Sequence, residues 1–482
     1  MHTAILWFRQ DLRLADNPAL HYALSEFERV IPLYIHAPEE SAPWQPGAAS
    51  RWWLHHSLAS LDETLRDRGS RLILRRGPSL EVLQQLIKET QAEAILCNRL
   101  YEPAHSDRDS RIKQALREQG ITVQSFNAAL LFEPWQVLKE NGEPYRVFTP
   151  YWKACQKYGL PQAQHTAPKT LPPLPRGIDS EKLDAFKLLP SIPWDTGFKK
   201  VWNPGETGAL QQLEAFLSDA LAHYESGRDT PGKANTSRLS PALHFGEIGP
   251  RQLVSAVEAF TAQHHQSGLI ANAEAWLRQL VWREFAHALL YHYPHTSEQP
   301  FDTRFEHFAW ERDYQATLRS WQRGETGIPI VDAGMRELWH TGWMHNRVRM
   351  IVASLLSKNL LIPWQEGARW FWDTLVDADL ANNSFGWQWV AGSGNDAAPY
   401  FRIFNPVLQG EKFDAKGRYV RRWLPELAKL PDKYLHKPWQ APEKMLSEAS
   451  IILGETYPRP IVDLKASRER ALERFLHIKG LK

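Results

Sequence analysis

The second half of the chain places many polar side chains among tryptophans. The 482 residues include 21 tryptophans, and 13 of these lie between Trp276 and Trp439. Core packing explains any one of them taken alone, because tryptophan is usually at least half buried. However, an i, i+3, i+4 spacing brings Asn346, Arg349 and Met350 to one face of a predicted helix. The pattern therefore predicts polar groups inside an aromatic setting.

Carboxylates and amides continue this pattern further along the chain. Asp377 and Asp379 come at the predicted end of a helix, and Asn382 and Asn383 precede the aromatic segment 385–389. Buried groups of these types each cost several kcal/mol unless they find partners. A large aromatic ligand with polar edges would supply partners, and both a flavin ring and a nucleobase fit that description.

A second candidate site is the segment 236–240, Thr-Ser-Arg-Leu-Ser, which is followed by Pro241. Ser240 and Pro241 are typical of a helix N-cap and a first helical position. Hydroxyls and free amides at a helix start can bind an anion such as a pyrophosphate. Simple capping is the alternative, and this segment alone favours it because caps are common.

Composition limits the class of protein. The formal net charge is only +2, so any surface for a polyanion must be a local patch. The content of 43% hydrophobic and 23% charged residues is that of a globular chain. No apolar run approaches the roughly 18 residues of a membrane helix, and the start resembles no secretory or transit peptide. Two cysteines, and histidine pairs such as His55-His56 and His264-His265, give no metal site. We therefore expect a cytoplasmic protein without a metal ion, and we also expect it to be a monomer.

The elements that must position these residues fall into three regions. Residues 1–130 alternate between strand and helix patterns, which predicts an α/β domain with a parallel, Rossmann-like sheet. Residues 131–204 are predicted to be an extended linker, with seven prolines between Pro161 and Pro193. Residues 205–475 show helical periodicity and predict a larger all-helical domain. Any ligand of the first domain is expected beyond the carboxyl ends of its strands.

The individual predictions are as follows. Strands are predicted at 4–8, 30–35, 71–74, 94–97 and 121–123, and helices at 50–68, 79–90, 106–118, 209–224, 241–260, 273–291, 330–338, 343–361 and 366–376. Asn17 and Pro18 predict one further helix start.

The motifs resemble, in order along nearly the whole chain, those of the DNA photolyase/cryptochrome family, and most of all class I cyclobutane-pyrimidine-dimer photolyases. The segments that carry the resemblance are 6–14 (LWFRQDLRL), 236–240 (TSRLS), 282–285 (WREF), 341–347 (TGWMHNR), 377–383 (DADLANN), 386–389 (GWQW) and 396–406 (DAAPYFRIFNP).

This resemblance implies a folded-back FAD inside the helical domain. The positions that match the family's FAD site are Tyr224, Thr236, Ser237, Leu239, Ser240, Trp276, Arg283, Asn346, Arg349, Asp377, Asp379 and Asn383. Asn383 matches the residue that faces the flavin N5 atom, where plant cryptochromes carry an acid. A neutral amide there suits an enzyme that holds its flavin reduced and anionic.

The resemblance also implies an electron relay and a DNA site. Trp387, Trp364 and Trp310 match a chain of tryptophans that carries electrons to the photoexcited flavin. UV-damaged DNA is the implied partner, with the damaged nucleotides flipped into a pocket. The residues that match the walls of this pocket are Trp282 and Trp389, and those that match its floor are Met350 and Asn346. Further positions that match contacts to the DNA are Arg228, Gln279, Arg347, Arg402 and Gln409.

Gln279 departs from the pattern, because dimer photolyases commonly carry glutamate at this position. Glutamine keeps the length but loses the charge and proton chemistry of the acid. A photolyase-like or cryptochrome-like blue-light protein with weak or no repair is therefore the alternative to dimer repair, although we expect no signalling tail after Lys482. Repair of (6-4) lesions ranks third, since those enzymes carry a histidine pair where this chain has Asn346 and Arg347. A second, antenna chromophore in the first domain is implied without its identity, and Ala104 and His105 do not support a folate.

Overall fold

The structure is a computed structural model that describes residues 2–264, 266–396 and 401–480. The N-terminal part is a parallel sheet with strand order β3-β2-β1-β4-β5. Its strands are β1 (Thr3–Phe8), β2 (Arg29–His36), β3 (Ile73–Arg76), β4 (Ala94–Asn98) and β5 (Thr122–Phe126).

Both faces of the sheet are covered, as expected for a parallel sheet of continuous apolar strands. In β1, Leu6 and Phe8 pack into one buried cluster, while Ile5 and Trp7 pack into the other. The helices of this part are α1 (Pro18–Glu26), α2 (Ala48–Asp67), α3 (Ser79–Thr90) and α4 (Pro103–Arg117). The predicted cap is present, since Asn17 accepts a hydrogen bond from the Leu20 amide at 3.1 Å.

Helices make up the regular structure of the remaining described residues. They are α5 (Phe148–Tyr158), α6 (Glu206–Ala215), α7 (Tyr224–Gly227), α8 (Ser240–His244), α9 (Pro250–Gln263), α10 (Leu269–His292), α11 (Gln315–Arg323), α12 (Pro329–Thr341), α13 (Asn346–Ser354), α14 (Trp364–Thr374), α15 (Leu380–Ala391), α16 (Pro406–Phe413), α17 (Arg418–Trp423), α18 (Asp432–Leu435), α19 (Glu443–Glu448) and α20 (Leu464–Lys479). The prediction of an α/β domain followed by a helical domain is confirmed. Within the described ranges, no helix combines the length and apolarity needed to cross a bilayer.

Several predicted helices are wrong in extent. The helix predicted at 241–260 is two helices, α8 and α9, because Gly246 turns the chain with φ +65° and Pro250 starts a new helix. The backbone of Gln10 and Asp11 lies so close to Gly246 that a β-carbon would overlap it. The helix predicted at 209–224 ends as α6 at Ala215, then continues as a π turn and a short 3-10 turn.

The region predicted as an extended linker contains α5. Phe148, Tyr151, Trp152 and Cys155 recur at helical spacing and are all buried. This helix escaped sequence analysis because the prolines that follow it dominated the composition of the region. The segment of Asp377 and Asp379 was also misassigned, since α14 ends at Thr374 and Asp379 is the N-cap of α15.

Candidate functional site

The residues of the 236–240 segment meet the acidic segment between α14 and α15. The Ser240 hydroxyl donates to Asp377 Oδ2 at 2.6 Å. Arg349 Nη2 donates to Asp377 Oδ1 and Oδ2 at 3.0 and 2.8 Å, and its Nε donates to the Met344 carbonyl at 2.8 Å. Three elements distant in sequence therefore converge on one carboxylate.

Ser240 does not cap a helix, contrary to the sequence prediction. It is the first residue of α8, and Leu239 occupies the cap position without a side-chain hydrogen bond. The Ser240 side chain turns to Asp377 instead, because a charged acceptor binds a hydroxyl proton more strongly than a neutral one.

The neighbouring positions surround this cluster. Thr236 and Ser237 are half-buried and Leu239 is buried. Arg238, whose φ is +53°, lies with its guanidinium 4.5 Å from the Trp202 ring and 4.8 Å from the Trp343 ring. Burial lowers the pKa of Arg238.

Two further candidate residues are buried beside α6 and α10. The ring centroids of Tyr224 and Phe216 are 6.0 Å apart, and those of Trp276 and Phe216 are 5.1 Å apart. Burial raises the pKa of Tyr224.

Asp379 fixes the start of α15. Its Oδ1 accepts from the Asn382 amide at 2.8 Å, and its Oδ2 lies 3.1 Å from His287 Nε2 and 3.8 Å from His244 Nδ1. Burial alone would raise the pKa of Asp379, but the neighbouring His287 and His244 rings and the charge of Arg283 hold it well below its usual range. Neither histidine can be identified from the sequence, because neither lies at a recognisable spacing from Asp379.

One helix carries three of the candidate residues. Asn383, Trp387 and Trp389 all lie on α15. The Asn383 side-chain amide donates to the Ala368 carbonyl of α14 at 3.0 Å, which fixes its orientation.

The three candidate relay tryptophans share one hydrophobic cluster. Trp387 and Trp364 are buried in it, and Trp310 packs against it half-buried. A β-carbon on Gly367 would overlap the Trp387 ring, so this glycine allows α14 and α15 to approach closely.

The candidate DNA residues divide into two groups. Trp282 stacks on Phe148, with ring centroids 3.6 Å apart and planes 9° apart, and lies 5.8 Å from Phe385 of α15. Gln279 donates to the Ala275 carbonyl of its own helix at 3.2 Å. Trp282 and Phe385 form an aromatic wall on which Phe148 stacks, and Trp389 lies half-buried one turn beyond Phe385 on α15.

The second group surrounds α13. Arg347 pairs with Asp229 at 2.9 Å and lies 3.9 Å from the Met350 sulfur. Asn346 is exposed, and Arg228 lies over the Tyr224 ring.

Three candidate residues have other neighbours. Arg402 lies over Phe404, and Gln409 lies half-buried on α16. Residues 397–400 of the 396–406 motif lie outside the described residues. Arg283 donates to the Ala129 carbonyl at 2.8 Å.

Buried polar atoms beside these residues test whether a cofactor fits. Trp387 Nε1, His345 Nε2 and His287 Nδ1 have no hydrogen-bond partner among the described residues. Unpaired buried nitrogens are rare and need an explanation. His287 lies beside Asp379 and His345 precedes Asn346, so a bound group with several acceptors would satisfy unpaired nitrogens that adjoin candidate positions, and the residues fit a flavin nucleotide.

Two family models match the chain. The model described as "DNA photolyase" matches residues 4–174, and the "FAD binding domain of DNA photolyase" matches residues 276–477. The deoxyribodipyrimidine photo-lyase of Agrobacterium fabrum is 50% identical over 98% of each chain. The chain belongs to the DNA photolyase family.

Other members of the photolyase/cryptochrome family are similar over the same length. Cryptochrome-1 of Arabidopsis thaliana is 40% identical over 98% of this chain and 70% of its own. The crystal structure of a class III photolyase from Agrobacterium tumefaciens is 48% identical, covers 99% of this chain and 98% of its own, and superposes with a TM-score of 0.94. The expected similarity to class I in particular is not supported, because this class III structure matches so fully. The family's FAD-binding domain makes FAD the cofactor.

At the carboxyl end of β1, on the side of the sheet where an antenna is expected, charged and aromatic side chains pair with one another. Arg9 forms an ion pair with Asp109, and the guanidinium groups of Arg9 and Arg108 lie 4.8 and 5.0 Å from the Trp7 ring. The antenna and its identity stay predictions.

Proposed function

We propose that this protein repairs UV-damaged DNA in the light by splitting cyclobutane pyrimidine dimers. The observation that carries the proposal is the composition of α15. Asp379 caps this helix beside the candidate FAD site, and Asn383 lies one turn further along. Trp387 is a candidate relay residue, and Trp389 is a candidate wall of the nucleotide pocket. The names of the photolyase relatives support the same activity.

Bound FAD would supply the light-driven electron transfer. The protein's own part is to bind and to position. Ser240, Asp377 and Arg349, which form one hydrogen-bonded cluster, would hold polar edges of the cofactor. Asn383 offers an amide that can donate a hydrogen bond without releasing a proton, which leaves an anionic partner unprotonated.

Trp282 and Trp389 would receive the damaged nucleotides on aromatic faces. Flipping costs less for a damaged pair, because it is poorly stacked in the duplex. We also propose that the enzyme is of the class III kind, which the likeness to the Agrobacterium tumefaciens structure supports. The cytoplasmic location and the monomeric state stay predictions from the sequence.

A blue-light receptor with little repair is the second candidate function. Gln279 favours it, because its amide is engaged with the Ala275 carbonyl of its own helix and supplies no carboxylate to a dimer. The 40% identity to Arabidopsis Cryptochrome-1 supports the same alternative.

A repair assay separates the two functions. The FAD-loaded full chain is incubated with DNA that carries a thymine dimer, under blue light and in the dark, with a (6-4) substrate in parallel. We expect light-dependent loss of the dimer and no change in the (6-4) lesion. A loaded protein that reduces its flavin in light but leaves both lesions intact would contradict the repair proposal and favour the receptor.

A further inference from the structure

The segment 145–148 lies against the aromatic wall of the candidate DNA site. Phe148 is buried, and its ring is almost parallel to that of Trp282 at a centroid distance of 3.6 Å. The Phe148 amide also donates to Asp396 Oδ2 at 3.3 Å. Segment 145–148 of the predicted linker is therefore held by contacts to both Trp282 and Asp396.

Arg146, two residues earlier, is exposed yet held in place. Its Nε donates to the Tyr293 hydroxyl oxygen at 2.9 Å, and its guanidinium carbon lies 5.5 Å from the Tyr293 ring and 5.8 Å from the Phe301 ring. The Phe301 amide in turn donates to Gln388 Oε1 at 2.8 Å, next to Trp389 in sequence. Arg146 is thus tied to the end of α15 that carries a wall of the nucleotide pocket.

The charge of Arg146 is not neutralised. Among the described residues, Arg146 forms no ion pair with a carboxylate, and nearby Glu143 pairs with Lys139 at 3.3 Å. The rings of Tyr293 and Phe301 limit the rotamers of Arg146, so little entropy is lost when it binds a ligand. An exposed, oriented guanidinium with remaining N–H donors suits a phosphate, which it can bind through two parallel hydrogen bonds.

We propose that Arg146 binds a backbone phosphate of the DNA at the mouth of the nucleotide pocket, and that residues 145–148 form a third wall of that pocket. This inference rests on the proposed function for the identity of the ligand. It adds a contact from the connecting segment, which sequence analysis assigned to neither functional domain.

The test is the salt dependence of DNA binding by the full chain. Each neutralised duplex phosphate contributes about 0.9 to the slope of log affinity against log salt. We expect Arg146→Gln to reduce the slope by about that amount, so that between about 50 and 200 mM salt the wild type loses three to four times more affinity than the variant. Arg146→Lys keeps the charge and should keep the slope.

Arg111 on α4 provides the matched control, because it is exposed and has no ion-pair partner among the described residues. Arg111→Gln should leave the slope unchanged. A wild-type slope in Arg146→Gln, or an equal loss of slope in Arg146→Lys, would overturn the inference. Undamaged duplex serves as a second probe, so failure to prefer the dimer would count against the proposed function while the slope still tests Arg146.

Discussion

Among single residues, Gln279 is the one whose side chain bears most directly on whether the protein repairs dimers. It lies half-buried on α10, one turn before the pocket residue Trp282, and donates to the Ala275 carbonyl at 3.2 Å. A glutamate cannot make this donation when ionised, so its carboxylate would leave the helix backbone and be available to the dimer.

We therefore expect Gln279→Glu to raise the quantum yield of dimer repair, measured by the loss of thymine dimers per absorbed photon. Gln279→Met is the control, because methionine has a similar length and neither charge nor a strong donor. An equal or lower yield in Gln279→Glu would show that the glutamine does not limit repair.

For Trp387, a proposed role in electron relay can be separated experimentally from its contribution to core packing. Both Trp387 and Trp321 are buried in the same hydrophobic cluster, and their ring centroids are 6.2 Å apart. Replacing either ring by phenylalanine removes a similar volume from one core, and Trp321→Phe also removes the hydrogen bond from Trp321 Nε1 to the Val352 carbonyl, so Trp321→Phe should lose at least as much stability as Trp387→Phe.

We expect Trp387→Phe to slow the photoreduction of bound oxidised FAD to a small fraction of the wild-type rate, and Trp321→Phe to leave it nearly unchanged. Absorbance of the flavin during blue-light illumination gives both rates. Equal rates in the two variants would remove the relay role from Trp387.

At the scale of elements, the contact between α14 and α15 depends on one glycine. Gly367 lies directly against the Trp387 ring, whereas a β-carbon on Gly386 of α15 would meet no atom within 4 Å. Overpacking a core typically costs 1–3 kcal/mol, while Gly→Ala in an open helix position gains roughly 0.5–1 kcal/mol.

Gly367→Ala should thus lower the free energy of unfolding by about 1–3 kcal/mol and disturb photoreduction, because α14 and α15 must move apart. Gly386→Ala should be neutral or stabilising, by up to about 1 kcal/mol. Denaturant unfolding measures both. A Gly367→Ala variant as stable as Gly386→Ala would mean that the helices do not pack as described.

The elements also show where sequence reasoning reached its limit. All five strands could be predicted, because β1, β2 and β4 are short apolar runs and the shorter β3 and β5 lie between helical patterns. Helix α5 could not, since its apolar spacing is short and precedes a proline-rich stretch. Ser240 looked like a cap, and only the position of Asp377, distant in the sequence, reveals that its hydroxyl has another partner.

At the scale of the whole molecule, the sequence indicates two domains but not how they meet. The stacking of Phe148 on Trp282 and the histidines at Asp379 join segments more than 90 residues apart, and no local pattern encodes such pairs. Family motifs supplied the site positions, whereas the contacts that hold them come from the tertiary structure.

Glu247 illustrates such a contact. It is fully buried where α2 meets the helical domain, and accepts from Trp53 Nε1 at 2.9 Å and from the Gly205 amide at 2.7 Å. Burial outweighs these bonds and raises the pKa of Glu247 to about 7. The folded state therefore keeps a proton that the unfolded chain releases above its ordinary pKa of 4.5. Stability consequently falls as the pH rises from 4.5 towards 7, and stays reduced above that.

Glu247→Gln removes this titration and retains an oxygen for both donors. Its new amide can donate to Ser57 Oγ, which has no hydrogen-bond partner among the described residues. Relative to the wild type, we expect the variant to gain about 2–3 kcal/mol in free energy of unfolding between pH 5 and pH 8. Denaturant unfolding at both pH values measures this gain, with Glu63→Gln at an exposed position of α2 as the control. Because Glu284, whose pKa burial also raises to about 7, titrates in both proteins, only the difference between wild type and variant reports on Glu247. A difference independent of pH would mean that Glu247 is already ionised in the folded protein, and that water reaches the contact between the two domains.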